Sequence, residues 1–420
     1  MLYLSAVLYL AVLYIRPAEI VPRLETVPLV DWLTIASTVI MIATLFVRPR
    51  RLALSVMDAY VALFWVAIVA SNLAWGWFGG AYKGVMDFAP VVFFYLLVRV
   101  AIDTPERLRG FAQVFVFLNV LLAINGIVQY HTGFGIGDTT PVGLENRIRG
   151  TGIFNDPNDL GMTLVMAVPL LLFVFFEPER PFWHRVLAVV LSIPIVMAIT
   201  YTSSRGAMLG LCAVAIMFAI RRFKMIPALT FGAAAVSAVM LLGPARAQAM
   251  DSQESSAQSR IEAWGQGLMM LKSKPVFGVG YSRFTEFHRK VAHNSFVQTA
   301  AELGLFGALV FVAMYDNLFR ILNRGRRGAA ASPTPVLSQS WMNAMIASGA
   351  GMVVCGFFLS RQYVAVPFIM LAMAGSIDGL VPKASGGSIP PFILSGARSV
   401  GLLFMTLGVV YAMVLTMGAW

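Results

Sequence analysis

Residues 57–77 read MDAYVALFWVAIVASNLAWGW: after Asp58 the run holds no charge, and it does not alternate between polar and apolar residues. A continuous apolar stretch near 20 residues is what a helix needs to cross a bilayer. A β-barrel span would be shorter and alternating. Twelve further runs of this kind lie along the chain, and the thirteen fall at 2–15, 29–47, 57–77, 84–102, 110–130, 160–176, 185–202, 204–220, 224–242, 294–318, 340–359, 362–380 and 392–418. The expected fold is all-α: a polytopic transmembrane helical protein of about 12–13 spans. The first run is short for a span. It leads into Arg16-Pro17 without a small-residue cleavage site, so it reads as a helix and not as a cleaved signal peptide.

Composition agrees. Of 420 residues 59% are hydrophobic and 12% charged, about half the usual globular share. Mean hydropathy is +0.78. This excludes a soluble globular domain, a disordered tail and a disulfide scaffold. Cys212 and Cys355 both lie in apolar runs. The net charge of +11 is better read as cytoplasmic-loop Lys and Arg than as a nucleic-acid surface.

Charge also orients the chain. With the N-terminus in the cytoplasm, the inside connections collect Arg48, Arg50 and Arg51; Arg99, Arg107 and Arg109; Arg180 and Arg185; Arg221, Arg222 and Lys224; Arg320, Arg324, Arg326 and Arg327; and Lys383. Thirteen spans put the C-terminus outside, twelve put it inside. Two long stretches then fall outside, 131–159 and 243–293. The second lies between spans 9 and 10 and is about 50 residues, a length uncommon unless functional or disordered. Trp264, Phe277, Tyr281, Phe284 and Phe287 argue for an ordered cap, with a helix over 259–271. The resulting division is 1–242, N-terminal spans; 243–293, outside loop domain; 294–420, C-terminal spans. Residues 325–339 read as a cytoplasmic linker rich in Gly, Ala, Ser and Pro.

Arginine on the outside face runs against the orientation bias and needs a reason. Arg23, Lys83, Lys272, Lys274 and Lys290 are explained by snorkelling to headgroups. Arg205 is different: Tyr201-Thr202-Ser203-Ser204-Arg205-Gly206 joins two apolar runs with almost no loop, and an Arg at such an edge faces a cavity or a partner. Arg361 is placed similarly. Arg147 and Arg149 precede the turn Gly150-Thr-Gly-Ile-Phe-Asn-Asp-Pro-Asn158, with Asn158 or Asp159 capping the next helix. Arginines gathered this way suit a phosphate or diphosphate, whose oxygens match the planar guanidinium. Asp138, Asp156 and Asp159 do not show the paired spacing of a metal site.

His293 precedes Asn294-Ser295, a plausible N-cap, and so stands just outside a helix mouth, where a neutral imidazole can take a proton from a hydroxyl. Glu302, nine residues on, is half a turn out of phase with His293 on a straight helix. It reads as either a buried ion-pair partner for an arginine or a packing-face acid, and the ion pair is the better reading.

Four motifs together carry a resemblance. They are Arg149-Gly-Thr-Gly-Ile-Phe-Asn-Asp-Pro-Asn158; Ser203-Ser204-Arg205-Gly206; Ser259-Arg260-Ile-Glu-Ala-Trp264 with Lys274-Pro-Val-Phe-Gly278-Val-Gly280 and Phe284; and His293-Asn294 leading to Glu302-Leu-Gly304 and Gly307. In this order and topology they resemble the O-antigen ligase and O-antigen polymerase superfamily. Tyr14-Ile-Arg-Pro-Ala-Glu19 is similar to the O-glycosylation ligase branch associated with the exosortase system. The resemblance implies a GT-C-like helical glycosyltransferase, multi-pass in the bacterial inner membrane, with its active site facing the periplasm. It would move a glycan from undecaprenyl diphosphate to an acceptor hydroxyl on protein, glycan or lipid, with membrane lipid around it, no nucleic acid, no metal and no other cofactor. By motif, Arg205 and Arg260 match the family's essential arginines and His293 its essential histidine. Arg147, Arg149, Arg361, Trp264 and Tyr281 are added here as diphosphate- or glycan-binding residues. A polymerase would use the same residues. A lipid-linked glycan flippase or transporter would explain the spans and the cations, but not the ordered outside loop.

Overall fold

Helix ends fall where caps and prolines put them. The computed structural model describes residues 1–47, 54–143, 146–176, 181–222, 255–332, 335–381 and 392–417. Its helices, in chain order, are α1 (Leu2–Ile15), α2 (Pro17–Ile20), α3 (Leu29–Val47), α4 (Val56–Leu73), α5 (Phe78–Ala101), α6 (Pro105–Thr132), α7 (Pro157–Phe176), α8 (Phe182–Tyr201), α9 (Arg205–Arg222), α10 (Ser255–Ser273), α11 (Phe284–Phe287), α12 (Ser295–Ala331), α13 (Gln339–Phe357), α14 (Ala365–Leu380) and α15 (Phe392–Thr416). Ser55 and Asp58 form a reciprocal capping box at the start of α4. Thr104 caps α6, with Pro105 in the first turn, where its missing N–H costs nothing. At the other end of α6 Gly133 takes the left-handed cap conformation.

Among the described residues nine helices are long and apolar enough to cross a membrane, and α7, α9 and α14 carry shorter apolar segments. The chain is a polytopic helical membrane protein. The expected span at 224–242 and the loop start at 243–254 lie outside the described residues. Helices α5 and α6 start earlier than the expected runs, at Phe78 and Pro105, and three other boundaries differ as well. Helix α4 ends at Leu73, not 77, because the chain turns through Trp75-Gly76, with Gly76 at φ +67°. Helix α12 runs on to Ala331, into the expected linker, whose Ala and Arg are good helix formers. Helix α14 starts at Ala365, so Arg361 and Tyr363 stand in a link and not in a helix.

The chain divides into two compact units. The first holds residues 1–53, 97–248 and 322–355. Here α7 packs against α6, α8 and α9. Buried Tyr14 hydrogen-bonds Thr163 at 2.8 Å, and Ser348 donates to the Met166 carbonyl at 2.7 Å. Cys212 and Cys355 are buried and free.

The second unit holds residues 54–96, 249–321 and 356–420. Phe64, Phe88, Phe311 and Phe368 interlock edge-on and tilted in its core. Ser55 donates to Asp378 at 2.8 Å, and Tyr95 to Asp58 at 2.6 Å. Helix α12 is broken at Gly304 (φ 66°, ψ −167°). At the break the amides of Leu305 and Phe306 leave their own helix and bond the carbonyls of Pro275 (2.8 Å) and Val276 (3.2 Å). The carbonyls they would have used, Ala301 and Glu302, accept instead from Val279 and Gly280, each at 2.9 Å. The segment 275–280 is thus spliced into the hydrogen-bond ladder of a membrane helix. An unpaired backbone group costs several kcal/mol in hydrocarbon, so a break survives only where protein satisfies it. A Cβ on Gly304 would fall on the Val276 carbonyl, and one on Gly278 on the Glu302 carbonyl. The two glycines are the contact surfaces of the splice.

Gly304→Ala is therefore expected to destabilise the protein by at least about 1–3 kcal/mol from backbone strain alone. Gly401→Ala, an exposed helical site with nothing within 4 Å of the added carbon, should be neutral or mildly stabilising. Thermal unfolding of the two variants in detergent checks this pair; equal melting temperatures would contradict the splice.

Candidate functional site

In the first unit the cations gather on the link between α6 and α7. Buried Gln129 pins this link to α6: its amide donates to Thr139 and its carbonyl oxygen accepts the Arg149 amide at 2.9 Å. An antiparallel bridge pairs Val142 with Arg147. The Arg147 guanidinium reaches across to the end of α8, donating to the Thr202 carbonyl at 2.9 Å and to Asn158 at 3.1 Å. The Ile148 amide bonds the Tyr201 carbonyl. Helix α8 then stops in the buried turn Thr202-Ser203-Ser204, with Ser203 at φ 46°. The Ser204 hydroxyl caps α9, accepting the Ala207 amide at 3.3 Å. Arg205 is the first residue of α9. The structure thus brings Arg147 and Arg205 to one turn, where the free amides of a helix N-terminus add positive potential. Arg149 is turned elsewhere, donating to Thr140 and Asn155.

The turn after Arg149 is held by the N-terminal motif. Thr151 donates to the carbonyls of Tyr14 and Ile15, and Glu19 accepts the Gly152 amide at 2.7 Å. Arg16, at φ 47°, pairs with Glu19 at 3.3 Å. The helix start itself corrects an expectation. Asp156, not Asn158 or Asp159, takes the cap position of α7: it accepts the Asn158 amide on its carboxylate and those of Asp159 and Leu160 on its carbonyl. Pro157 occupies the first helical position, which leaves residue 156 as the only place for a cap. Among the described residues no three His, Cys, Asp or Glu side chains come together as a metal-holding group.

In the second unit the site lies where α10 meets the start of α12. Ile261, Trp264 and Met270 on α10 pack with Phe284, Ala292, Val297 and Ala301. The Trp264 indole donates to the Ala292 carbonyl at 2.8 Å, and Lys290 donates to Ser259 at 3.3 Å. These bonds lay the strand of chain leading to His293 along the α10 turns that carry Arg260. Trp264 is 3% exposed, so its ring contributes a fixed position for residue 292. His293 has φ 49° and stands outside the helix; Asn294 is the cap, accepting from Phe296 (2.9 Å) and Val297 (3.1 Å) as expected. Ser295 donates to the Leu359 carbonyl at 2.5 Å and accepts the Arg361 amide at 2.9 Å. Arg260, His293 and Arg361 therefore attach to the same corner of this unit.

Tyr281 sits to one side of that corner. Its amide donates to Ser71 and its hydroxyl to Asp87 at 3.3 Å, and its ring stands edge-on to Tyr363. Burial, reinforced by the Asp87 carboxylate, pushes its hydroxyl above the usual tyrosine range, so it remains a donor. Of the loop aromatics, Phe284 is buried, while Phe277 and Phe287 are exposed.

Glu302 departs from the expected ion pair. It is 1% exposed, and its partners are neutral: Tyr363 (2.9 Å), Gln298 (3.1 Å) and the Phe284 amide (3.2 Å). The sequence carries a signal for this. Ser295, Gln298 and Glu302 recur at spacings of three and four in the span, which sets three polar groups on one helix face.

Residues 186–312 match the family model described as O-antigen ligase. No curated protein matches the chain. The matched stretch includes Arg205, Arg260, His293, Glu302 and Gly304. The chain is therefore a polytopic helical membrane protein in which residues 186–312 are similar to the O-antigen ligase family.

Proposed function

We propose that this protein is a metal-independent, inverting glycosyltransferase that moves a glycan from undecaprenyl diphosphate to an acceptor hydroxyl at the periplasmic face of the bacterial inner membrane. The observation carrying this reading is that the family-matched stretch opens one membrane helix on Arg205 and another on the His293-Asn294 corner. In the proposed reaction His293 takes the acceptor proton. The freed oxygen bonds the anomeric carbon from the side opposite the diphosphate. The anomeric carbon–oxygen bond breaks, its electron pair leaves on the diphosphate, and the configuration inverts. Guanidinium groups fixed before the reaction stabilise the charge arriving on the diphosphate, a task a metal ion performs elsewhere. Arg205 and Arg260 are assigned that task, and Arg147, Arg149 and Arg361 are assigned to binding the donor. A GT-C-like architecture, an outside loop domain over 243–293 and membership of the exosortase-associated branch belong to the same proposal; for the branch, the clamp of Tyr14 and Glu19 on residues 151–152 is the support.

The test is transfer by purified protein in detergent, supplied with undecaprenyl-diphosphate glycan, a candidate acceptor and a chelator. Release of undecaprenyl diphosphate should proceed undiminished by the chelator. One transferred unit per acceptor marks a ligase, a ladder of repeats a polymerase. Movement of the lipid-linked glycan across sealed vesicles without transfer would overturn the reading in favour of a transporter.

A further inference from the structure

Glu302 is a carboxylate inside a membrane helix, and such groups are expensive and rarely idle. Its partners come from three places: Gln298 on its own helix, the backbone of Ser282 and Phe284 after Tyr281, and the hydroxyl of Tyr363 in the link between α13 and α14. Two helical turns earlier, on the same face, Ser295 holds the other end of that link through the Leu359 carbonyl and the Arg361 amide. The link from 359 to 363 therefore lies along the first two turns of α12 and is pinned at both ends. Arg361 lies between Leu359 and Tyr363 with its own amide held by Ser295, and His293 stands two residues before Ser295.

We propose that Ser295 and Glu302 are positioning residues that hold Arg361 in register with the helix start carrying His293. Neither touches the transferred group. They fix where a guanidinium stands, so their loss moves Arg361 without removing it. This inference rests on the glycosyltransferase reading only for its kinetic consequence; the geometry of the pins is independent of it.

The test has two readouts on wild type, Tyr363→Phe, Glu302→Gln and Ser295→Ala, all in detergent. The first is limited trypsin digestion. Removing the Tyr363–Glu302 hydrogen bond frees one end of the link, so cleavage after Arg361 should rise about tenfold in Tyr363→Phe. Cleavage after Lys272 and Lys290 should stay unchanged, which a general loss of folding would not allow. The double variant Tyr363→Phe/Glu302→Gln should be cleaved no faster than the faster single variant, because both break one tie. The second readout is transfer, where KM for the lipid-linked donor should rise about tenfold while kcat stays within about twofold. Ser295→Ala reports on the other pin and stands in if Tyr363→Phe is not recovered folded. Unchanged cleavage at Arg361 in both Tyr363→Phe and Ser295→Ala overturns the proposal, as does a KM that stays fixed while wild type transfers. A wild type that transfers nothing would overturn the glycosyltransferase reading and leave the trypsin result to decide the positioning.

Discussion

His293→Asn should lower the rate of glycan transfer by about 10²–10⁴-fold, the contribution of a positioned general base. Asparagine is the informative replacement because of the backbone. Residue 293 has φ 49°, a conformation in which His and Asn are both enriched and Ala is strained. Alanine would combine loss of the imidazole with strain at the junction that feeds the Asn294 cap. Asparagine keeps the junction and removes only the base, since an amide accepts no proton near neutrality. The variant should therefore melt near the wild-type temperature and still bind donor, while single-turnover release of undecaprenyl diphosphate collapses. Release at the wild-type rate would remove His293 from the mechanism; an equal loss of donor binding would reassign it to recognition.

The second large effect is at Arg205. Arg205→Ala should reduce turnover by about 10²–10³-fold, the loss expected for one preorganised donor to a developing oxyanion. Stability should move the other way or stay level. A cation at a helix N-terminus opposes the helix dipole, at a cost of about 0.3–1 kcal/mol, so the local helix gains when it is removed. Arg205→Lys restores the charge but not the planar pair of donors, and should recover only part of the lost rate. Turnover and melting temperature measured on the same preparations separate the two roles. A strongly destabilised Arg205→Ala with proportionate loss of rate would make Arg205 structural. Lysine equal to arginine would leave charge alone as the requirement.

The architecture was legible because lipid leaves the chain few options. Continuous apolar runs announce helices, and Asn294 declares its cap by its side chain. The position of Arg205 at a helix start follows from two apolar runs meeting without room for a loop. What escaped reading depends on partners distant in sequence. The phase argument that set Glu302 opposite His293 assumes both lie on one straight helix, yet His293 stands before the cap and outside the helical screw. The partners of Glu302 include Tyr363, 61 residues on, and nothing local marks that bond. The Tyr14–Glu19 motif is similar: its work is done on Thr151 and Gly152, more than a hundred residues later. The cap of α7 falls at Asp156, two or three residues before the expected Asn158 or Asp159, because Pro157 opens the helix instead of belonging to the turn.

The splice at Gly304 also dictates an order of assembly. Synthesis makes residues 275–280 before residues 301–306. When the following span enters the bilayer it carries two amides and two carbonyls with no partner of their own. The earlier loop must fold back onto a helix made after it, so insertion of that span and closure of the loop form one step. Until it is complete, the broken helix is the kind of segment that membrane quality control removes. A chain truncated between residues 280 and 301 would therefore leave the loop without its helix, and comparison with a chain that includes residue 306 would expose this dependence directly.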